Sequence, residues 1–190
     1  MRKPFLYICV CLGCLVSLMA SASGQEVIHA LTGSVISVNQ ETKVITVLQD
    51  NGSRTEFHGR PNPKARVAFD KSVSDGTIAA EQFSGQGAYI IVFYYGSTSE
   101  KTAVALKDLG AGPFVSTEGT VAKFEVHGHT LSVQDSSGTL QTIRLTSDTV
   151  VESNFGAVDG LKFQAQKGDH VRIVAVKADG ASTALFVRDN

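Results

Sequence analysis

Two imidazoles one residue apart, His127-Gly128-His129, are the side chains in this 190-residue sequence best suited to chemistry by type and spacing. Imidazole nitrogen ligates zinc, copper and nickel well, and a third donor such as His170 or Glu125 would complete a clamp. The spacing alone is a weak signal, because Gly128 also suits a tight reversal whose two rings point to solvent without a common focus. His170 falls at the start of a distant strand, and Glu125 and Asp135 fall on separate strands. We therefore expect no metal and no cofactor, with His127, His129 and His170 as the ligand candidates for the opposite case.

Other catalytic patterns are missing. There is no Ser in a Gly-x-Ser-x-Gly turn and no Ser-x-x-Lys. Acidic residues are scattered through turns, and no pair is set on one wall as glycoside hydrolysis needs. Gly85-Gln86-Gly87 precedes a strand, whereas a phosphate loop needs a helix N-terminus behind it. Asn51-Gly52-Ser53 is a glycosylation sequon whose residues equally suit a hairpin turn. The basic set Arg60, Lys64, Arg66 and Lys71 is interleaved with Asp70, Asp75 and Glu81 and reads as a solvated loop. We expect a protein that is not an enzyme.

The elements that must carry these residues come as a repeat. Gly33, Val35, Val47 and Gly52 recur as Gly119, Val121, Val133 and Gly138 at a constant offset of 86 residues. The closing segment Thr102 to Asp108 recurs as Thr183 to Asp189 at offset 81, so the lost register lies in the intervening loop. A period of that length matches one small domain and is too long for a solenoid unit. Short runs of Val, Ile, Thr and aromatics separated by Gly, Asn, Asp and Ser predict strands at Leu31 to Val38, Lys43 to Gln49, Arg54 to His58, Tyr89 to Tyr95 and Lys101 to Lys107. The second unit repeats them at Glu118 to Phe124, His129 to Gln134, Leu140 to Leu145 (extending to Glu152), Val171 to Val176 and Thr183 to Arg188.

Between the third and fourth strands of the first unit we expect an extension at Arg66 to Phe69. A short helix should follow, opened by Asp75 and carrying Ile78, Ala79, Gln82 and Phe83. The fold class expected is all-β: two tandem five-stranded Greek-key barrels of the OB-like type, each with a short helix between strands three and four. Other small barrels and sandwiches satisfy the same pattern. The boundaries are 1–24 for a leader, 25–109 for the first unit, 110–116 for a linker and 117–190 for the second unit.

Within that frame, Tyr89-Ile90-Ile91-Val92-Phe93-Tyr94-Tyr95 is apolar on both alternating faces, and a strand apolar on both faces must be covered on both. One face belongs to the core. The other meets the second unit or the inserted helix, or forms an aromatic platform, which makes Tyr89, Phe93, Tyr94 and Tyr95 the ligand or interface candidates. Outward positions of the second and third strands (Thr46, Leu48, Arg54, Glu56 and His58; Thr130, Ser132, Gln134, Thr142 and Arg144) hold no Phe, Tyr or Trp. Single-stranded nucleic acid needs stacking rings there, so no nucleic-acid partner is expected.

Gly119-x-Val121, Leu131-Ser132-Val133-x-Asp135, Gly138, Thr149-x-Val151, Lys167-Gly168-Asp169-x-Val171-x-Ile173 and Ala184-x-Phe186-Val187 resemble a family of small barrel repeats in secreted bacterial proteins known only as a domain of unknown function. The resemblance covers most of Glu118 to Asp189. The first unit departs from it, with Ser84-Gly85-Gln86-Gly87-Ala88 in place of the Lys-Gly-Asp turn. The family supplies no catalytic residue to carry over.

Arg2 and Lys3, an apolar run from Phe5 to Met19, and Ala20-Ser21-Ala22 have the order of a secretory signal, and polar residues follow too soon for a membrane span. Cys14 in Cys11-Leu12-Gly13-Cys14 is the alternative, a lipidated cysteine, but Cys11 stands where an aliphatic residue is wanted. All three cysteines lie in this segment, so the exported chain carries no disulfide and relies on packing. Its loss takes two basic residues from a chain of net charge −1, which draws nothing electrostatically to nucleic acid or anionic membrane. The function expected by elimination is an exported, periplasmic or extracellular, non-catalytic module binding a protein, peptide or saccharide. The alternatives are a metal-dependent activity at His127, His129 and His170, or a self-assembling surface or structural protein.

Overall fold

The computed structural model describes residues 26–59, 73–96, 100–178 and 180–189. The leader, the extension at Arg66 to Phe69 and the basic set Arg60, Lys64, Arg66 and Lys71 lie outside the described residues. The first unit comprises β1 (His29–Asn39), β2 (Val44–Leu48), β3 (Arg54–Gly59), β4 (Thr77–Ala79), a single 3-10 turn (Ala80–Gln82), β5 (Tyr89–Gly96) and β6 (Lys101–Asp108). The second comprises β7 (Phe114–Glu125), β8 (Thr130–Asp135), β9 (Leu140–Arg144), β10 (Val150–Ser153), β11 (Gly156–Asp159), β12 (His170–Ala178) and β13 (Ala181–Asp189).

Each sheet rolls up and closes on itself. The first runs β3-β2-β1-β5-β6 with β4 added on β6, and parallel pairing of His58 with Thr102 and Gly59 with Ala103 joins β3 to β6. The second runs β9-β8-β7-β12-β13 with the β10–β11 hairpin added on β13. Parallel pairing of Ile143 with Ser182 and Arg144 with Thr183 closes it. Both are five-stranded barrels of OB-like order, and closure removes most of the open strand edges.

Positions that recur along the sequence fall at matching irregularities of the two sheets. β1 bulges between Val35 and Ser37 where β2 passes, and β7 bulges at the equivalent Val121 and Lys123. At the same crossings a Cβ on Gly33 would press on the carbonyl oxygen of Leu48, and one on Gly119 on that of Gln134. Only glycine lets the backbones approach so closely. β5 bulges after Phe93 and β12 after Val174, again equivalent. The turn before β5 lacks the Lys-Gly-Asp residues yet repeats their geometry. Val35 and Gly87 exchange backbone hydrogen bonds with Ala88 and Val35 (2.9 and 2.8 Å), as Val121 and Gly168 do with Asp169 and Val121 (2.8 and 2.9 Å).

Three apolar clusters follow from strand alternation. Val35, Ile45, Val47, Phe57, Ile90, Val92 and Leu106 fill the first barrel, and Leu131, Val133, Ile143, Val171, Ile173 and Val187 fill the second. The third cluster lies between them. Ile28, Ala30, Ile91, Phe93 and Ala105 from the first unit meet Val150, Val174 and Phe186 from the second. Thus β5 sends Ile90 and Val92 into its own barrel and Ile91 and Phe93 into the seam, which accounts for its apolar residues on both faces.

Three local expectations change. The helix expected from Asp75 is reduced to the 3-10 turn, because Thr77, Ile78 and Ala79 instead pair with Lys107, Leu106 and Ala105, the partner edge that β-branched residues suit. No helix stands between the third and fourth barrel strands of the second unit; Val150 to Glu152 pairs with β13, and the strand folds back through Gly156, whose φ is +102°. The linker is shorter than 110–116, since Phe114, Val115 and Ser116 already pair with β12.

Candidate functional site

The seam is apolar in its middle and polar along two sides. On one side, the Tyr89 hydroxyl donates to Asp50 (2.9 Å) and its ring stacks on Phe114, with centroids 4.8 Å apart. The Arg172 guanidinium lies 3.5 Å from Asp50 and donates to the hydroxyl of Thr32, itself fully buried, at 3.4 Å. Burial pushes the Tyr89 hydroxyl up to about 12, with the Asp50 carboxylate contributing and the Thr32 hydrogen bond opposing.

On the other side, Glu152 of β10 reaches across to β1. Its Oε1 lies 2.7 Å from His29 Nδ1, and its Oε2 accepts the backbone N–H of Ala30 at 2.7 Å. Glu152 is only 8% exposed. Burial raises its pKa above the usual carboxylate value, against the opposing hydrogen bonds from His29 and Ala30. A buried carboxylate is tolerable only when its oxygens are satisfied, and here both are. The backbone adds to the join, as Ala157 N–H of β11 donates to the carbonyl of Ile28 at 2.7 Å.

Beside this contact a cleft of about 310 Å³ opens between the units, lined by His29, Tyr94, Gly96, Lys101, Glu152, Ser153, Asn154 and Arg188. The Tyr94 ring tilts against His29 (5.8 Å between centroids) and Phe57 (5.2 Å), and the Lys101 ammonium stands 6.0 Å from its centre. Burial raises the Tyr94 hydroxyl's pKa, assisted by the Glu152 charge and opposed by Arg188. Arg188 reaches the cleft because β10 and β13 run parallel with Glu152 opposite Arg188. Seven of these eight residues carry polar side chains, and both units contribute.

The imidazole candidates are not brought together. His127 and His129 line a cleft with Arg144, Leu145, Thr146, Ser147 and Leu161, whereas His170 lines another with Glu118, Gln134 and Asp135. His170 Nε2 lies 3.1 Å from Glu118 Oε1. No group of three metal-binding side chains exists among the described residues. His129 has φ +44°, and its carbonyl accepts the N–H of Leu145 at 2.7 Å. Lys43, its equivalent in the first unit, has φ +56°, and its carbonyl accepts the N–H of Gly59. The turn therefore needs a left-handed residue whose carbonyl accepts this hydrogen bond, and the imidazole is incidental to that need. Its Nδ1 is buried without a hydrogen-bond partner.

Of the aromatic candidates, Phe93 is fully buried in the seam, Tyr89 and Tyr95 pack at its margin, and Tyr94 turns to the opposite face of β5 and lines the cleft. Among the described residues no helix is long and apolar enough to cross a membrane.

No family model matches the chain, and no curated protein does. A solved structure of Ag(I)CusF aligns at 12% identity and a TM-score of 0.33, covering 42% of this chain and all of that one.

Sequence reasoning passed over His29, Lys101, Glu152 and Arg188. Their positions span 29 to 188, and no spacing rule links them. The one available signal was Glu152 itself, an acid that continues an apolar strand after Val150 and Val151 and so had to find a buried partner.

Proposed function

We propose that this is an exported, non-catalytic binding protein in which two barrels act as one body and take a small polar ligand in the cleft between them. The observation that carries the reading is the Glu152 bridge to His29 and Ala30. It satisfies a buried charge across the seam and so fixes the walls of the cleft relative to one another. Prearranged walls favour binding because little ordering remains when a ligand arrives. The cleft is at the small end of ligand sites, and its polar lining suits a hydroxylated or charged ligand over an apolar one. Strand closure in both barrels favours this reading over self-assembly, and the separated histidines favour it over metal-dependent chemistry. The order of residues 1–24 and the repeat's likeness to barrels of secreted bacterial proteins support export.

The test is a screen of small sugars, amino acids and short peptides against the isotope-labelled full chain by amide NMR. Saturable shifts at Tyr94, Lys101, Ser153, Asn154 and Arg188, with the compound recovered unchanged, are the expected result. Shifts confined to other surfaces, or chemical turnover of a bound compound, overturn the reading.

A further inference from the structure

We propose that the cleft at the His127-Gly128-His129 turn, which shares no residue with the cleft between the units, is a binding site for a small oxyanion such as a phosphate, sulfate or carboxylate group. The backbone of this turn asks only for a left-handed residue at position 129, so it does not account for the two imidazoles. The cleft measures about 390 Å³ and forms where the turn meets the end of β9. There the Leu145 N–H donates to the His129 carbonyl, which sets Arg144 and Ser147 beside the two rings, with Leu145 and Leu161 as apolar walls.

The polar lining is a set of donors. Arg144 is exposed and its side chain makes no ion pair or hydrogen bond among the described residues, so the guanidinium fork is open to two parallel hydrogen bonds. His129 Nδ1 is buried without a partner, and a neutral imidazole carries one N–H. A proton on Nδ1 would leave a buried donor unpaired, so the N–H belongs on Nε2, at the accessible edge of the ring. His127 and Ser147 are exposed and add an imidazole and a hydroxyl, whereas the Thr146 hydroxyl is engaged with the N–H of Asp148 and with Thr149. No carboxylate lines the cleft. Acids on the flanking segments have cations of their own. Glu125, beside Gly128, pairs with Lys123, and Asp159 pairs with Lys162 at 3.4 Å. The Lys107 ammonium stands 3.5 Å from the carbonyl oxygen of Asp148. A lining of donors around an unpaired guanidinium fits a ligand that only accepts, which is what an oxyanion does. The first unit differs: 86 positions earlier it carries Glu41 and Lys43 for the imidazoles and His58 for Arg144, so the same turn there brings a carboxylate.

The probe is inorganic phosphate, titrated into the isotope-labelled full chain beside a sodium chloride series of the same ionic strength, so that screening is equal in both. Saturable amide shifts at His127 to His129 and Arg144 to Ser147 are expected from phosphate and not from chloride. Arg144→Gln should weaken phosphate binding roughly tenfold, and Arg144→Lys, which keeps the charge and loses the fork, should restore only part of it. The double variant His127→Asn, His129→Asn should weaken it as well. Arg144 and His127 are exposed, and amides of the barrel core serve as the control that each variant is folded. Shifts that do not saturate, equal shifts from chloride, saturation centred on other residues, or an unchanged phosphate affinity in Arg144→Gln overturns the site. None of these outcomes bears on the cleft between the units, whose lining is separate.

Discussion

Replacing Phe186 by alanine tests whether the two barrels are one thermodynamic body. Phe186 is fully buried in the seam among Ile91, Phe93 and Ala105 of the first unit and Val150 and Val174 of its own, and it is not part of the cluster that fills the second barrel. Removing a fully buried phenylalanine loses about 1.5–3 kcal/mol of apolar transfer, and the cavity brings the total to about 3–5 kcal/mol. A domain's whole stability is only about 5–15 kcal/mol, so a loss concentrated at the seam should uncouple the barrels before it unfolds either.

The chain offers a built-in pair of probes for this. It has no tryptophan, and of its four tyrosines Tyr89, Tyr94 and Tyr95 are in β5, while Tyr7 falls in the expected leader. In the chain lacking residues 1–24, tyrosine fluorescence therefore reports the first barrel and the seam, and far-ultraviolet circular dichroism reports both barrels. Urea unfolding of the parent should give coincident transitions by the two probes, and of Phe186→Ala two separated ones. Separate transitions already in the parent, or a variant that loses less than about 1 kcal/mol, refute a seam that couples the units.

Gly33→Ala and Gly119→Ala should each cost about 1–3 kcal/mol by forcing β1 from β2 and β7 from β8, read as a drop in melting temperature; a neutral result at either removes the close-approach explanation. Exchanging both His127 and His129 for asparagine should change stability by no more than about 0.5 kcal/mol, since asparagine tolerates the left-handed backbone at residue 129. A melting temperature that rises with added zinc in the parent but not in this variant would contradict that. For pH, burial raises the folded Glu152 pKa above 4.5, so the folded chain binds this proton more tightly than the unfolded one. Its contribution is then full below 4.5 and is lost as pH rises through the folded value. His29, Tyr94 and Arg188 face the same carboxylate, and Glu152→Gln should flatten the fall in stability that begins as pH rises above 4.5; identical slopes in parent and variant would show that Glu152 does not set it.

Residue pattern pointed to two small five-stranded barrels while leaving other barrels and sandwiches open. Alternation in β2, β5, β8 and β12 decides which residues enter a core, and Gly33 and Gly119 mark where strands cross too closely for a side chain. These are local requirements, and local requirements are written in residue type and spacing. The same logic showed that β5 had two covered faces without saying what covered the second. The segments between the third and fourth barrel strands were misread for a related reason. Thr77 to Ala79 and Val150 to Ser153 take their form from β6 and β13, far along the chain, so a helical spacing in one and a bare strand extension in the other were poor guides. Tertiary structure alone decided the cleft. His29 and Glu152 are 123 positions apart and meet because β10 adds to β13 beside the seam, a pairing that no period or motif encodes. The imidazoles that spacing brought together turned out to occupy a turn whose backbone, repeated at Lys43, asks only for a left-handed residue. Adjacency in sequence marked the two imidazoles, whereas packing between the two barrels assembled a polar cleft elsewhere.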